Sequence, residues 1–325
     1  MFRIIGKTDF DFISKRKYSF VISGILLLVG LFAFLMILLE KANYSIDFSG
    51  GTEITGIFEE PVTTEELRDA LRSEGITGAR IQTINVGDTV AFLIKVKSGI
   101  IQLNQADLSE AEDTAMVGVS DAERMAQKLV SIIAKDFPEN EFIRLSSSIT
   151  DPSIGRELKS QAAWMVIATI IGILLYIWVR FDFRFGVAAT FTTFHDVLLV
   201  LGVMFIIGRE ISILMVTALL TLAGYSLTDT VVVFDRIREN LKTFRRKGDF
   251  VSTVNLSINE VLSRTLVTSL TTFTVVLILF IFGGPVVHDF ALTLLLGIVV
   301  GTYSSVFIAS PLIVVWENRA PKRFK

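Results

Sequence analysis

The sequence contains no cysteine among its 325 residues and only two histidines, His195 and His288. The absence of cysteine excludes disulfide bonds, thiolate-bound metals and a catalytic thiol. Two histidines are too few for a multi-histidine metal site, so we expect neither a metal nor another cofactor. Net charge is also small, at −2. This balance gives no reason to expect a nucleic-acid partner.

Apolar residues occur in long runs. Hydrophobic residues make up 51% of the sequence, and the mean hydropathy is +0.60. A helix of about 20 apolar residues crosses the hydrocarbon core of a bilayer. Six runs have roughly that length: 19–39, 162–179, 185–207, 211–234, 265–282 and 290–316. The first run is not followed by a small-residue cleavage site, so we expect it to remain uncleaved. The sequence therefore predicts an α-helical polytopic membrane protein with six transmembrane helices, in contact with membrane lipid.

Lysine and arginine are distributed unevenly around these runs. They cluster in residues 1–18, at 180–184, across 236–264 and in the tail 317–325, whereas the opposite short connections contain only Arg209. Cytoplasmic loops of membrane proteins collect Lys and Arg. Both termini are therefore predicted to be cytoplasmic, which places the long polar stretch 40–161 on the periplasmic side.

The polar stretch 40–161 has the pattern of a small α+β domain. Residues 52–58, 79–84, 90–96 and 141–147 are predicted strands, and 63–73 and 120–137 are predicted helices. The order β-α-β-β-α-β is the ferredoxin-like pattern. Residues 100–119 fit no element and are predicted to be a loop or insertion. The domain contains no catalytic constellation, so we expect a recognition or mechanical part rather than an enzyme, with a plain structural cap as the alternative.

Two ionisable residues lie close to the middle of the third apolar run. His195 and Asp196 are about ten residues from its start, and Thr192 is one turn away on the same side of the helix. A charge at mid-bilayer costs about 2.5–3.5 kcal/mol on insertion scales. The pair therefore has either a role in an ion or proton relay or a structural role, in which it ties helices together by hydrogen bonds.

A second carboxylate, Asp229, lies in the fourth run beside Thr228, and Arg264 opens the fifth run at the same cytoplasmic end. Hydroxyl residues follow Arg264 along one helix face, at Thr265, Thr268, Ser269 and Thr272. Arg264 is either a snorkelling boundary residue or a partner for Asp229. The hydroxyls are either satisfied by the preceding carbonyls or line a hydrated path.

An aspartate and an arginine inside a helix bundle can couple an ion gradient to work. Burial disfavours the charged form of a carboxylate, and a nearby arginine favours it. A pair that opens and closes can therefore take up a proton on one side and release it on the other. Moving one charge through 100 mV releases about 2.3 kcal/mol. We expect this coupling to involve Asp229 and Arg264, with Thr228, Thr268, His195 and Asp196 as supporting polar residues.

Several motifs resemble a known family. Asp47–Thr52 reads Asp-Phe-Ser-Gly-Gly-Thr directly after the first run, and Phe194–Val197 lies in the third. Gly224–Asn240 ends the fourth run, Arg264–Ser269 opens the fifth, and Phe282–Pro285 closes it. Together, in this order and over almost the whole chain, they are similar to the SecF proteins of the SecD/SecF protein-export family, within the resistance–nodulation–division superfamily of proton-driven transporters.

The resemblance implies a location in the bacterial inner membrane and a SecD partner that completes a twelve-helix bundle of two pseudo-symmetric halves. It further implies association with the SecYEG channel and YajC. The pair would use the proton-motive force to draw the unfolded polypeptide into the periplasm, after SecA has pushed it with ATP. It assigns ion coupling to Asp229 and Arg264. It also places Asp47, Gly50 and Gly51 at the hinge into the periplasmic domain, where glycine tolerates conformations closed to other residues. Either H⁺ or Na⁺ remains possible as the ion.

Other classes of protein fit the sequence less well. An intramembrane aspartyl protease would need Asp196 and Asp229 to face each other, and the Tyr-Asp and Gly-x-Gly-Asp signatures of those enzymes are absent. A serine hydrolase using His195 lacks a Gly-x-Ser-x-Gly motif. Two further alternatives are half of a proton-driven efflux pump for small molecules and a passive scaffold of the export channel.

Overall fold

The computed structural model describes residues 8–86, 89–98, 121–243 and 249–319. In chain order its helices are α1 (Arg16–Leu38), α2 (Ile46–Ser49), α3 (Thr64–Ser73), α4 (Asp121–Asp136), α5 (Pro152–Arg180), α6 (Phe183–Ile206), α7 (Ile213–Thr243), α8 (Phe250–Phe282), α9 (Gly284–Ser304) and α10 (Ser310–Arg319), and its strands are β1 (Gly51–Phe58), β2 (Arg80–Val86), β3 (Thr89–Lys97) and β4 (Phe142–Thr150). A π-helical turn, Ser305–Ala309, joins α9 to α10 without a break.

Six helical segments of the described chain are long and apolar enough to cross a membrane. They are α1, α5, α6, α7, α8 and the continuous segment from α9 to α10. This confirms the predicted class, a helical protein that crosses the membrane several times. A small antiparallel sheet lies between the first and second of these segments, as the alternating hydrophobic pattern indicated.

The sheet domain has the ferredoxin-like order β1-α3-β2-β3-α4-β4. Its four strands lie side by side as β2-β3-β1-β4, and every pairing is antiparallel. Helices α3 and α4 contribute the buried Leu67 and Leu129, which pack with Ile54 and Phe58 of β1 in one apolar core. Alternate residues of β1 therefore face the helices, as the period of two in a strand requires.

Helix α3 begins with the capping box that the sequence contains. The Thr63 hydroxyl accepts from the Glu66 N–H at 3.2 Å, and the Glu66 carboxylate accepts from the Thr63 N–H at 2.8 Å. These two bonds satisfy donors that the first helical turn would otherwise leave free. The same contacts hold the pKa of Glu66 below its ordinary value, with the backbone hydrogen bond of Thr63 as the largest cause.

The membrane helices extend beyond the apolar runs that predict them. The fifth run is 265–282, whereas α8 begins at Phe250 and has 33 residues. A helix of that length is about 50 Å long, compared with about 30 Å of hydrocarbon. Hydropathy detects only the part of a helix that suits lipid, so polar extensions into water escape it. The segment 100–119, predicted as a loop or insertion, lies outside the described residues.

Glycines allow close helix crossings in the bundle. A Cβ atom on Gly30 of α1 would lie 2.1 Å from the Leu198 carbonyl oxygen of α6, and a Cβ atom on Gly202 would lie 2.7 Å from the Gly30 nitrogen. On α9, a Cβ atom on Gly297 would lie 2.6 Å from Leu222 of α7. Gly297 and Gly301 form a Gly-x-x-x-Gly pattern, which allows such close helix contact. These crossings hold α1 against α6 and α9 against α7.

Candidate functional site

Two carboxylates are buried among the membrane helices. Asp196 in α6 is fully buried, and Asp229 in α7 is 7% exposed. Because charge at this depth is costly, each carboxylate needs hydrogen bonds, a counter-charge or a proton. The two carboxylates differ in the number and length of their hydrogen bonds, and this difference indicates a different role for each.

Asp196 is closely surrounded by hydrogen-bond partners. Its Oδ2 accepts from the hydroxyls of Ser226 and Ser304, both at 2.5 Å, and its Oδ1 lies 2.8 Å from Nδ1 of His195. Ser226 belongs to α7 and Ser304 to α9, so one carboxylate joins three helices. Among the described residues, Nε2 of His195 has no hydrogen-bond partner. This geometry fits the structural interpretation of the His195–Asp196 pair, in which it ties the bundle together.

Asp229 has fewer contacts. Its Oδ2 accepts from the Ser269 hydroxyl of α8 at the long distance of 3.4 Å. Ser269 in turn accepts from Thr302 of α9 at 2.7 Å, and the buried Tyr225 hydroxyl lies beside these groups. The pocket is therefore built from α7, α8 and α9. A carboxylate has about four lone-pair positions. Among the described residues, hydrogen bonds to Asp229 are fewer and longer than those to Asp196, which leaves room for a proton, a cation or water.

The structure places Arg264 and Asp229 in different environments. Arg264 is exposed on α8 and forms no ion pair within the part of the chain that the structure describes. The Thr268 hydroxyl donates to the Arg264 carbonyl at 2.6 Å, and Thr228 donates to the Gly224 carbonyl at 2.9 Å. Both threonines are thus satisfied within their own helices. An Asp229–Arg264 pair remains a prediction for another state or assembly.

Next to the buried carboxylates, the last membrane segment departs from α-helical geometry. The π-helical turn Ser305–Ala309 begins where the Ser305 hydroxyl lies 3.1 Å from the Thr230 hydroxyl of α7. The Ser310 hydroxyl donates to the Ser305 carbonyl five residues earlier, at 3.0 Å. Short π-helical turns occur frequently at functional sites. This one places a hydroxyl contact between α7 and the last segment, one residue from Ser304, which binds Asp196 of α6.

The Asp47–Gly50–Gly51 motif lies where the chain passes from α1 into the sheet. Gly50 has φ 73° and Gly51 has φ 152°, values that side chains disfavour. A Cβ atom on Gly50 would lie 2.8 Å from the Pro152 nitrogen, and one on Gly51 would lie 2.4 Å from the Val96 carbonyl oxygen. Asp47 instead contacts the membrane bundle, since its Oδ2 accepts from the Ile213 N–H at 3.1 Å. The role of these residues as a hinge remains a prediction.

Comparison with known proteins identifies the family. Residues 131–319 match the family model described as protein export membrane protein SecD/SecF, C-terminal. The protein translocase subunit SecF of Thermodesulfovibrio yellowstonii is 43% identical over 97% of this chain and 97% of its own length. The SecF subunit of Calditerrivibrio nitroreducens is 39% identical over 95% of both chains. The chain belongs to the SecD/SecF family.

Solved structures of SecDF agree with this assignment to the SecD/SecF family. The crystal structure of SecDF from Thermus thermophilus matches 96% of this chain with 38% identity and a TM-score of 0.75. SecDF in a super-membrane-facing form matches 98% with 37% identity and a TM-score of 0.65. The chain spans about two fifths of those longer proteins. SecD/SecF proteins are non-catalytic membrane proteins of protein export, so neither buried carboxylate belongs to an enzyme active site.

Sequence reasoning for this SecD/SecF protein found both carboxylates and missed most of their hydroxyl partners. Ser226 and Ser304 were not predicted to bind Asp196, although Ser226 lies three residues before Asp229 on the same face of α7. That spacing was the available signal. No group of three or more metal-ligating side chains capable of holding a metal occurs within the described ranges.

Proposed function

We propose that this chain acts as the SecF subunit of the Sec translocase, pairs with a SecD subunit and uses the proton-motive force to assist late steps of polypeptide export. The relatives that match over their full length are named translocase subunits SecF. In the SecDF structures, a chain like this one forms about two fifths of a longer protein. Both observations support a unit that works with a second half.

The outer surface of α7 also supports a missing partner. Thr217, Thr221, Gly224 and Thr228 recur at a spacing of three or four residues, and all four are exposed on one stripe of the helix. A Cβ atom on Gly224 would meet no other atom within 4 Å. Lipid tails offer no hydrogen-bond partner to the hydroxyls of such a stripe. Its small side chains allow the backbone of another membrane helix to approach closely. We assign it to the interface with the SecD subunit.

The observation that carries the coupling role is the sparse hydrogen bonding of buried Asp229. Its contact with the Ser269 hydroxyl is 3.4 Å long, whereas Asp196 accepts two hydroxyl contacts of 2.5 Å. A buried carboxylate with open lone pairs is stabilised by binding a proton, and it becomes charged again when water or a cation reaches it. Exposed Arg264 lies on the neighbouring helix and can supply that cation when the partner half changes the packing.

The distribution of basic residues supports the orientation. The cytoplasmic side is assigned to the ends that carry Arg180, Arg184 and the 236–264 cluster, and the sheet domain follows α1 on the other side. The domain would then act in the periplasm, where the exported chain emerges. Both termini would lie in the cytoplasm of a bacterial inner membrane.

Export in inverted inner-membrane vesicles tests the proposal. The vesicles contain this chain with its SecD subunit, and protease-protected preprotein is measured after the ATP-driven stage, with the proton gradient intact or collapsed by an ionophore. Asp229→Asn should lose the gradient-stimulated part of export. The matched control is Asp235→Asn, on the same helix but half-exposed and paired with Arg180. Full gradient stimulation in Asp229→Asn would refute ion coupling and favour the passive scaffold.

A further inference from the structure

We propose that the loop between α6 and α7 (residues 207–212) is the mechanical link between the membrane bundle and the sheet domain, with Asp47 and Glu210 as its positioning residues. The inference rests on the proposed coupling role of Asp229 and adds the route by which a change there reaches the periplasmic side. The loop joins the two helices that carry the buried carboxylates, Asp196 in α6 and Asp229 in α7.

The first contact is a main-chain bridge. The Ile211 N–H donates to the Asn43 carbonyl at 2.8 Å, and the Ser45 N–H donates to the Ile211 carbonyl at 3.0 Å. Tyr44 and Ile211 form an isolated parallel β-bridge. Residues 43–45 lead directly into the sheet domain. The loop is therefore hydrogen-bonded, like one strand to another, to the segment by which the chain reaches the domain.

The second contact fixes the start of α7. Asp47 accepts from the Ile213 N–H at 3.1 Å, and the Ser212 hydroxyl accepts from the Met215 N–H at 3.1 Å. Both N–H groups belong to the first turn, which has no intrahelical acceptors. A negative charge also suits the positive end of the helix dipole. Asp229 lies about 24 Å further along the same continuous helix, so a displacement of α7 along its axis moves the groups that bind Asp47.

The third contact is a cluster of charges under the open face of the sheet. The carboxylate oxygens of Glu210 lie 3.0 Å from a guanidinium nitrogen of Arg80 in β2 and 3.7 Å from Nζ of Lys97 in β3. Asp289, in the first turns of α9, lies 3.6 Å from Arg80 and 3.1 Å from Arg209 of the same loop. The Glu210 side chain is 13% exposed and that of Asp289 is 20% exposed. Partial burial weakens screening by salt, so the Glu210 pairs hold the sheet to the loop more firmly than surface pairs would.

The covalent connections of the domain are poorer candidates for the link. Helix α1 precedes the domain and α5 follows it, and neither has a charged residue in its apolar stretch, from Tyr18 to Leu39 and from Ser160 to Val179. Within the apolar stretch of either helix, a change of protonation therefore has no charged group to act on. The α6–α7 loop is continuous with both helices that do have such groups, and it contacts β2, β3 and the segment before β1.

The test compares gradient-stimulated export in variants of the full chain with its SecD subunit. Asp47→Ala combined with Glu210→Gln removes the helix cap and the charge that faces Arg80 and Lys97. We expect the gradient-stimulated part of export to fall at least fivefold. The ratio of export with the gradient to export without it then approaches one. The matched control is Glu53→Gln, which removes the 2.7 Å pair with Lys95 inside the sheet and leaves the loop untouched. It should keep the ratio of the unaltered chain.

A reversible cross-link gives a readout that a merely structural role would not move. The chain contains no cysteine, so Tyr44→Cys with Ile211→Cys introduces a single pair at the β-bridge. Bridge partners lie at a Cα separation that a disulfide can span. Added to the loosened Asp47→Ala, Glu210→Gln chain, the oxidised pair should restore gradient stimulation, and reduction should remove it again. In the otherwise unaltered chain, oxidation should leave stimulation intact because the loop and the domain move together.

Three results would overturn the link. The first is full stimulation in the loosened chain. The second is a failure of the disulfide to restore gradient stimulation in an Asp47→Ala, Glu210→Gln chain that is correctly inserted in the membrane. The third is loss of stimulation when the otherwise unaltered chain is cross-linked, since the loop and the domain would then have to separate. Asp229→Asn is measured in the same series. If Asp229→Asn also exports with full gradient stimulation, the proposed function fails. If Asp229→Asn loses stimulation and the Asp47→Ala, Glu210→Gln chain keeps it, only the proposed link fails.

Discussion

Ser304 of α9 donates a 2.5 Å hydrogen bond to Asp196 of α6, across 108 residues of sequence. Ser226 of α7 donates to the same oxygen. One carboxylate therefore fixes the relative position of three helices, and this geometry predicts that its main contribution is to stability. The Asp196 side chain is fully buried and its contacts are short, so the structural interpretation of this group is the one that the geometry favours.

We predict that Asp196→Ala destabilises the protein and that Asp196→Asn does so much less. Alanine leaves the hydroxyls of Ser226 and Ser304 buried without their acceptor, which costs about 1–3 kcal/mol. Asparagine keeps one acceptor oxygen in the same place. Thermal unfolding in detergent, followed by loss of helical signal, measures the difference. Equal stability of the two variants would show that these short contacts contribute little.

The crossing of α1 and α6 gives a second prediction. Gly30→Ala should destabilise the bundle by about 1–3 kcal/mol, because its new methyl group would meet the Leu198 backbone carbonyl and force the helices apart. Gly172→Ala on α5 is the matched control, since a Cβ atom there meets nothing within 4 Å. The control should be neutral or slightly stabilising, given the higher helix propensity of alanine. If the two variants unfold at the same temperature, α1 does not pack on α6 as described.

Much of the fold could be predicted from the sequence because its signals are local. The succession of short predicted strands and helices marks the sheet domain, including the helix predicted over 63–73, and long apolar runs mark the membrane helices. The positions of Asp196 and Asp229 also follow from sequence alone, because an ionisable residue stands out in an apolar run.

The partners of those carboxylates could not be predicted in the same way. Ser304 reaches Asp196 only because α6 and α9 cross at one particular rotation and height, and no local pattern encodes that register. The exposure of Arg264 could not be predicted from local sequence either, because it depends on which helices pack against α8. The polar beginning of α8 at Phe250 escaped hydropathy because it is not apolar.

The capping box of α3 predicts a pH dependence in the sheet domain. Hydrogen bonds from Thr63 hold the pKa of Glu66 below its ordinary value of 4.5. The group therefore stabilises the helix above that value, and the contribution is lost as the pH falls through the lower pKa of the folded state. Amide hydrogen exchange in the first turn of α3 should speed up relative to the rest of the sheet domain over that range.

Two variants check the cause of this pH dependence. Glu66→Gln keeps a side-chain oxygen without a titrating group, so exchange in the first turn of α3 should lose its acid-dependent component. Thr63→Ala removes the cap altogether and should destabilise the helix by about 1 kcal/mol at neutral pH. An unchanged acid dependence in Glu66→Gln would assign the effect to another carboxylate.

The exposed stripe of α7 gives the last prediction, which concerns the partner half. A spin label attached through Thr221→Cys should be accessible to membrane-dissolved oxygen when the chain is reconstituted alone, because this position is exposed on the outer surface of the bundle. Addition of the SecD subunit should lower that accessibility several-fold, since a helix packed on the small-residue stripe excludes lipid and oxygen. A label at Leu175→Cys, on the 59% exposed side chain of α5, should stay accessible in both samples. An accessibility at position 221 that does not change on assembly would place the SecD subunit on another face, and the exposed Gly224 and Thr228 would then need a different partner.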